Sequence, residues 1–258
     1  NDLASAGAEP VGILLTVLLP PETTEAELKS IMTEVNASCE RLDVSVIGGH
    51  TEVTDAVIRP VLSVTGVGKV KRDALITTSG AKPGMDLIAT KWIGLEGTSI
   101  IAAEKKDELL QKFPADFVER AIGFNSMLSV VQDGLIAAGA GAAAMHDVTE
   151  GGIFGALWEM GAASDVGLSV DIEKIPIKQE TVEICDFYNI DPYCLISSGS
   201  MLIAAPNGAR IVDALAEEGI SATVIGHTDD STQRAVHYDG QTRYLKPPVA
   251  DEFHRVLG

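Results

Sequence analysis

The sequence predicts an α/β protein, more loosely α+β, of two domains, and three observations carry that reading. Short apolar runs of strand length alternate with stretches whose apolar residues recur every three to four positions, the spacing of an amphipathic helix. Between Thr77 and Gly84 the composition shifts to Thr, Ser, Gly, Lys and Pro, which are turn and linker residues. The chain has 258 residues, 46% of them hydrophobic, enough for one large or two modest cores. The expected division is residues 1–80 and 81–258.

The elements follow in order. Val11–Leu19 is an apolar run stopped by Pro20-Pro21, with the length and composition of a buried strand. Thr24 and Glu27 form a capping box ahead of Leu28, Ile31, Met32, Val35, Cys39 and Leu42, so a helix with one apolar face is expected there. Val44–Ile47 reads as a strand entering Gly48-Gly49-His50-Thr51-Glu52, and Val57–Val70 as a second long β-rich stretch. In the second region Met85–Lys91 is a strand, followed by Gly94-Leu95-Glu96-Gly97 and a helix. One long helix is expected over Phe117–Ala138, then a strand Ala142–Met145 and a helix Ile153–Ala163. A helix near Thr181–Tyr188, a strand Met201–Ala205, a helix Gly208–Glu218 and a strand Thr223–Gly226 come next. Arg234–Tyr238 and Thr242–Leu245 flank Asp239-Gly240, a hairpin signal.

Acidic residues outnumber basic ones 37 to 19, giving a net charge of −18, and no stretch gathers the Lys and Arg that bind a phosphate backbone. Nucleic acid is excluded as an expected partner. Cys39, Cys185 and Cys194 are too few and too irregularly spaced for a disulfide framework or a zinc site, and they read as buried structural residues. No apolar run reaches the ~20 residues of a membrane helix, so a soluble cytoplasmic protein without membrane partners is expected. The chain opens directly on structured-looking sequence at Asn1, and a further segment is expected ahead of it.

Three glycine-containing turns, Gly48-Gly49, Gly94 to Gly97 and Gly151-Gly152, follow apolar strands, each beside an acidic or imidazole side chain. Glycine lets backbone N–H groups approach an anion, and a neighbouring carboxylate can hold the Mg²⁺ that accompanies a nucleoside triphosphate. The alternative is that these glycines only make turns. Neither the P-loop nor the Rossmann glycine fingerprint is present. His146-Asp147-Val148-Thr149-Glu150-Gly151-Gly152 is the densest polar cluster in an apolar setting, where Asp147 and Thr149 serve either a ligand or the N-cap of the next helix. His146 with Glu150 lacks a third zinc ligand.

Taken together, Asn1-Asp2-Leu3-Ala4-Ser5-Ala6-Gly7-Ala8-Glu9-Pro10, Ile47-Gly48-Gly49-His50-Thr51-Glu52, Val64-Thr65-Gly66-Val67-Gly68 and Asp147-Val148-Thr149-Glu150-Gly151-Gly152 resemble the successive signatures of the aminoimidazole ribonucleotide (AIR) synthase superfamily. Asn189-Ile190-Asp191-Pro192 followed by Ser198-Gly199-Ser200-Met201-Leu202 is most similar to its hydrogenase-maturation, HypE-like branch. The resemblance implies an N-terminal domain whose mixed sheet pairs with that of a second subunit, a homodimer, and a C-terminal α/β domain. It also implies ATP and Mg²⁺ as cofactors and phosphorylation of a carbonyl or amide oxygen of a small-molecule substrate. Asp2 matches the aspartate of the family's first motif and is the implied metal ligand. His50 stands at a position that is Asp, Glu or His among members, so the implied ligand either changes character there or moves to Glu52. Asp147 matches the acidic position of the last motif, facing the phosphates; Thr149 and His50 complete the implied catalytic set, and Gly48, Gly49, Gly94, Gly97, Gly151 and Gly152 the nucleotide-binding set. The rival expectation is a non-catalytic dimer that keeps nucleotide binding.

Overall fold

The computed structural model describes residues 1–258 as two units, Ala8–Asp73 and a larger one that joins Asn1–Gly7 to Ala74–Gly258. The first seven residues, with helix α1 (Asp2–Ser5), therefore pack with the C-terminal unit and not with residues 8–80 as the expected division had it. The reason is local. Ala4 is fully buried in an apolar cluster with Val130, Val131 and Ala137, and the Asn1 side chain is bonded to backbone at Leu128 and Val130.

In the smaller unit β1 (Glu9–Leu19) is the centre of a three-stranded sheet, parallel to β2 (Ser45–Val53) and antiparallel to β3 (Val61–Lys69). Helix α2 (Glu25–Arg41) has the expected capping box, with Glu27 N–H donating to Thr24 Oγ1 at 3.3 Å and Thr24 N–H to Glu27 Oε2 at 2.7 Å. Alternation along β1 sends Leu15, Val17 and Leu19 under Leu28, Ile31, Met32 and Val35 of α2. Leu14, Thr16 and Leu18 point the other way. Gly48-Gly49 is not a turn after a strand: both glycines lie inside β2, where the register against β1 slips by one residue. A Cβ on Gly49 would overlap the Leu15 carbonyl. The second β-rich stretch starts at Val61 instead of Val57, directly after Pro60, which has no N–H to give to a ladder.

The larger unit contains β4 (Asp86–Thr90), α3 (Leu95–Glu104), α4 (Lys106–Leu109), α5 (Ala115–Ile122), α6 (Val131–Ala140), β5 (Ala144–Asp147), α7 (Gly152–Ser164) and β6 (Gly167–Asp171). Then come α8 (Gln179–Tyr188), β7 (Met201–Ala205), α9 (Gly208–Glu217), β8 (Ala222–Asp229), β9 (Arg234–Tyr238), β10 (Gln241–Tyr244) and α10 (His254–Leu257). Its seven strands run in the order β10-β9-β6-β8-β4-β7-β5. Period-two alternation divides their side chains between two cores. Leu87, Ala89, Leu202 and Ala204 face α7 through Ile153, Leu157 and Met160, while Ile88, Met145, Met201 and Ile203 face α6 and α9 through Val131, Ala137, Ile211 and Leu215. A third cluster joins α3, α5 and α8 through Ile101, Val118 and Ile184.

The expected single helix over Phe117–Ala138 is broken: α5 runs on through a 3₁₀ turn at Gly123–Met127, and this segment bends by 54° into α6. Gly, Asn and Ser in that turn are poor helix formers. In addition, the backbone groups of Leu128, Ser129 and Val130 bond to the side chains of Asn1 and Lys91 instead of continuing the helical ladder. No single helix is long and apolar enough to cross a membrane.

Candidate functional site

Strands β4 and β5 both run antiparallel to β7, so their C-terminal residues Thr90 and Asp147 and the first residue of β7, Met201, share one end of the sheet. Asp147 is opposite Met201 in the ladder, and the N–H of Val148 donates to Ser200 O at 3.0 Å. This places the Asp147 side chain, 8% exposed, at the sheet's edge against the first helical turn of the chain. There the carboxyl of Asp2 meets it closely enough to share a hydrogen bond. Burial pushes the Asp147 carboxyl above the usual carboxylate range, and the Asp2 charge and hydrogen bond push the same way; its own backbone and His146 act against them. Neither carboxylate pairs with a Lys or Arg side chain.

Asp2 is held in place from its neighbour. Asn1 Nδ2 donates to Leu128 O at 2.9 Å, and Asn1 Oδ1 accepts from the N–H of Val130 at 3.0 Å. His146 turns its Nδ1 to the Asp147 carbonyl at 2.8 Å and its Nε2 to Glu159 Oε2 at 2.6 Å. No three His, Cys, Asp or Glu side chains lie together in a group that could hold a metal ion.

Neither Asp147 nor Thr149 caps α7 with its side chain. Gly151, at φ +79°, is the cap residue, and the carboxylate of Asp251 accepts its N–H at 2.7 Å together with those of Ile196 (3.1 Å) and Phe253 (3.0 Å). Gly152 donates to Thr149 O at 3.0 Å. A Cβ at Gly152 would come within 3 Å of the backbone of Tyr193 and Leu195, so this glycine admits a neighbouring chain segment. Gly94 donates to Ser197 Oγ at 2.7 Å and Gly97 to Ile196 O at 3.0 Å. The amides of Gly94, Gly97, Gly151 and Gly152 are thus engaged within the chain. In this structure these amides hold turns and neighbouring chain segments together.

His50 and Glu52 lie on β2 of the smaller unit, both exposed and 3.4 Å apart, on the face of the sheet away from α2. The structure therefore brings together Asp2 with Asp147 in one unit and His50 with Glu52 in the other. Three groups escaped the sequence reading: Asn1 as an anchor, Asp251 as a triple acceptor, and a buried pair, Lys91 with Asp133. Lys91 Nζ lies 3.1 Å from Asp133 Oδ2 and donates to Ser129 O at 2.6 Å, and the two side chains are 14% and 3% exposed. Charged residues in the apolar strings Leu87–Lys91 and Val130–Gly134 were the available signal.

Cys39 and Cys185 are buried and Cys194 half-buried. Burial first, then nearby carboxylates, pushes the Cys185 and Cys194 thiols up to about 12, which keeps them protonated and poorly nucleophilic at neutral pH.

Comparison with known proteins gives a consistent result. Residues 1–70 match the N-terminal domain, and residues 82–239 the C-terminal domain, of AIR synthase related proteins. A hydrogenase expression/formation protein of Methanocaldococcus jannaschii is 28% identical over 262 residues, covering 99% of this chain and 76% of the relative. The carbamoyl dehydratase HypE of Rhizobium leguminosarum bv. viciae is 30% identical over 236 residues, 88% of this chain but only 65% of the relative's length. The crystal structure of the hydrogenase maturation protein HypE in complex with ATP superposes with a TM-score of 0.82 at 20% identity, covering 99% of this chain and 78% of that one. The fold, the order of the motifs and the extent of both domain matches make this chain a member of the AIR synthase related protein family.

Proposed function

We propose that the protein is an ATP- and Mg²⁺-dependent enzyme that transfers the γ-phosphoryl group of ATP to a carbonyl or amide oxygen of a small substrate, turning that oxygen into a leaving group for dehydration. The observation that carries this reading is the Asp2–Asp147 pair. Two carboxyl groups facing each other without a Lys or Arg partner form an all-oxygen, hard donor set. With no third acidic or imidazole ligand at hand, the set suits a cation that takes one or two protein carboxylates and completes its shell with water and phosphate oxygens, as Mg²⁺ does. Mg²⁺ held there neutralises charge on the phosphate oxygens during transfer.

The chain's own residues do the rest. Asp2 and Asp147 are the two carboxylates that would hold the cation, each supplying oxygen ligands from its own backbone segment. Asn1 and the β5–β7 ladder fix the distance between them. Family membership and a carbamoyl dehydratase relative at 30% identity support the carbamoyl or amide class of substrate. Exposed Leu14, Val61 and Val67 on the smaller unit's sheet support pairing with a second copy. The cytoplasm is the compartment that suits such a nucleotide-dependent enzyme.

The test is ATP turnover by the full chain with carbamoyl and amide compounds, followed as phosphate release. Turnover that requires Mg²⁺ and one of these compounds supports the enzyme. Nucleotide binding without turnover under any of them supports the non-catalytic dimer instead.

A further inference from the structure

Lys91 and Asp133 lie outside the acidic pair yet touch both of its supports. Lys91 follows β4 with φ +51°, in the left-handed region that a side-chain-bearing residue rarely adopts, and its N–H is held by Ser221 O at 2.7 Å. That backbone turn aims the side chain inward. Its ammonium donates to Ser129 O, the middle residue of the three whose outer two, Leu128 and Val130, are bonded by Asn1. The segment that anchors Asn1, and with it Asp2, is therefore gripped at three successive residues, two by Asn1 and one by Lys91.

Asp133 reaches the other arm. Its Oδ1 accepts from Thr90 Oγ1 at 2.6 Å, and Thr90 Oγ1 in turn accepts the N–H of Met201 at 3.0 Å, the ladder partner of Asp147. The Thr90 carbonyl accepts from Ser200 Oγ at 2.8 Å, and Ser200 holds the N–H of Val148. One ion pair thus sits at the junction of the two backbone segments that carry the carboxylates. A buried ion pair adds little net stability relative to a well-packed neutral pair, because desolvation offsets the attraction. What it does supply is directional: two charged groups with fixed hydrogen bonds in two directions.

We propose that Lys91 and Asp133 are positioning residues of the acidic site, acting through Ser129 and Asn1 on Asp2 and through Thr90 and Met201 on Asp147. The proposal rests on the metal-binding reading of that pair. Outer residues that orient metal ligands typically change metal affinity by about 10- to 100-fold when replaced.

The test uses the full chain and Mn²⁺ as the probe, with wild type, the neutral double variant Lys91→Met/Asp133→Asn, and Lys91→Gln, which keeps a hydrogen-bond donor but loses the charge and some of the reach. Two quantities are read: Mn²⁺ affinity by calorimetry, and hydrogen exchange at the Val130 and Val148 amides relative to Val236, buried far along the sheet. The expected result for the double variant is a thermal midpoint close to wild type, Mn²⁺ binding weakened by about 10-fold or more, and faster exchange at Val130 and Val148 but not Val236. Lys91→Gln should show the same changes in smaller degree, and it decides the question if the double variant does not fold. Folded variants whose Mn²⁺ affinity and exchange at both amides stay within twofold of wild type overturn the proposal. If wild type itself binds no Mn²⁺, the metal reading fails, and exchange at Val130 and Val148 alone decides whether the pair positions the two segments.

Discussion

The two sheets of this protein use similar residues and are finished differently. In the larger unit β4 and β7 are buried almost end to end, because helices α6 and α9 cover one face and α7 the other. In the smaller unit a single helix covers β1, while every residue of β2 and nearly every one of β3 is exposed. Val46, Ile47, Val64 and Leu62 are between 39% and 56% exposed there. A covered sheet is a core that stabilises its own unit; an apolar sheet left open is a surface that calls for another. The candidate site residues follow the same division, with Asp2 and Asp147 at the end of the covered sheet and His50 with Glu52 on the open one.

If the covered sheet is the stability core, the largest loss comes from Leu157, which is fully buried in it. Leu157→Ala should cost about 2–5 kcal/mol, read as a fall in thermal midpoint. The smaller unit has one local device of moderate worth, the capping box of α2. Thr24→Ala should cost about 1 kcal/mol, measured as increased exchange across α2. The open face should behave oppositely to the core. Leu14, 42% exposed on the central strand, should tolerate Lys within about 0.5 kcal/mol in the monomer, yet sedimentation should show weakened self-association. A large stability loss at Leu14 with no change in association would mean that the open face is not an interface.

Asp147 gives a pH signature. Its folded-state pKa is raised above the ordinary value of 3.8, so the folded protein holds the proton more tightly than the unfolded chain. That contribution is fully present below 3.8 and is lost as pH rises through the raised value. Relative to Asp147→Asn, metal-free wild type should therefore lose stability as pH climbs from about 4 toward neutrality, and Mg²⁺ should restore it. Parallel melting curves for the two proteins across that window would show that Asp147 is not destabilised by its surroundings.

Much of the fold was legible because the signals were local. The capping box at Thr24, the apolar run Met201–Ala205 and the Asp239-Gly240 turn each depend on a few adjacent residues, and each is where the sequence put it. What escaped depended on distant partners. The helix expected over Phe117–Ala138 breaks partly at the local Gly123, Asn125 and Ser126, and partly because Asn1 and Lys91 capture backbone groups at Leu128–Val130, which no residue of the segment announces. β6 was not recognised, since Gly167–Asp171 is short and contains Gly and Ser. At the site, Asp2 and Asp147 were legible through motif resemblance. The amide partners of the glycines were not legible, because a turn glycine and a phosphate-binding glycine look alike in sequence. Asp251, 100 residues from Gly151, supplied one of those partners.

The central claim is that Asp2 and Asp147 form one cation site for Mg·ATP, and calorimetric titration of ATP into wild type and Asp147→Asn, with Mg²⁺ and with EDTA, tests it most directly. Asn matches Asp in shape and hydrogen-bonding reach but lacks the charge that holds the cation, so only a ligand role predicts a metal-dependent difference. The expected result is ATP binding weakened by about 10-fold or more in Mg²⁺, with the two proteins alike in EDTA. Equal affinities in Mg²⁺ would contradict the claim and leave Asp147 a structural residue at the end of β5.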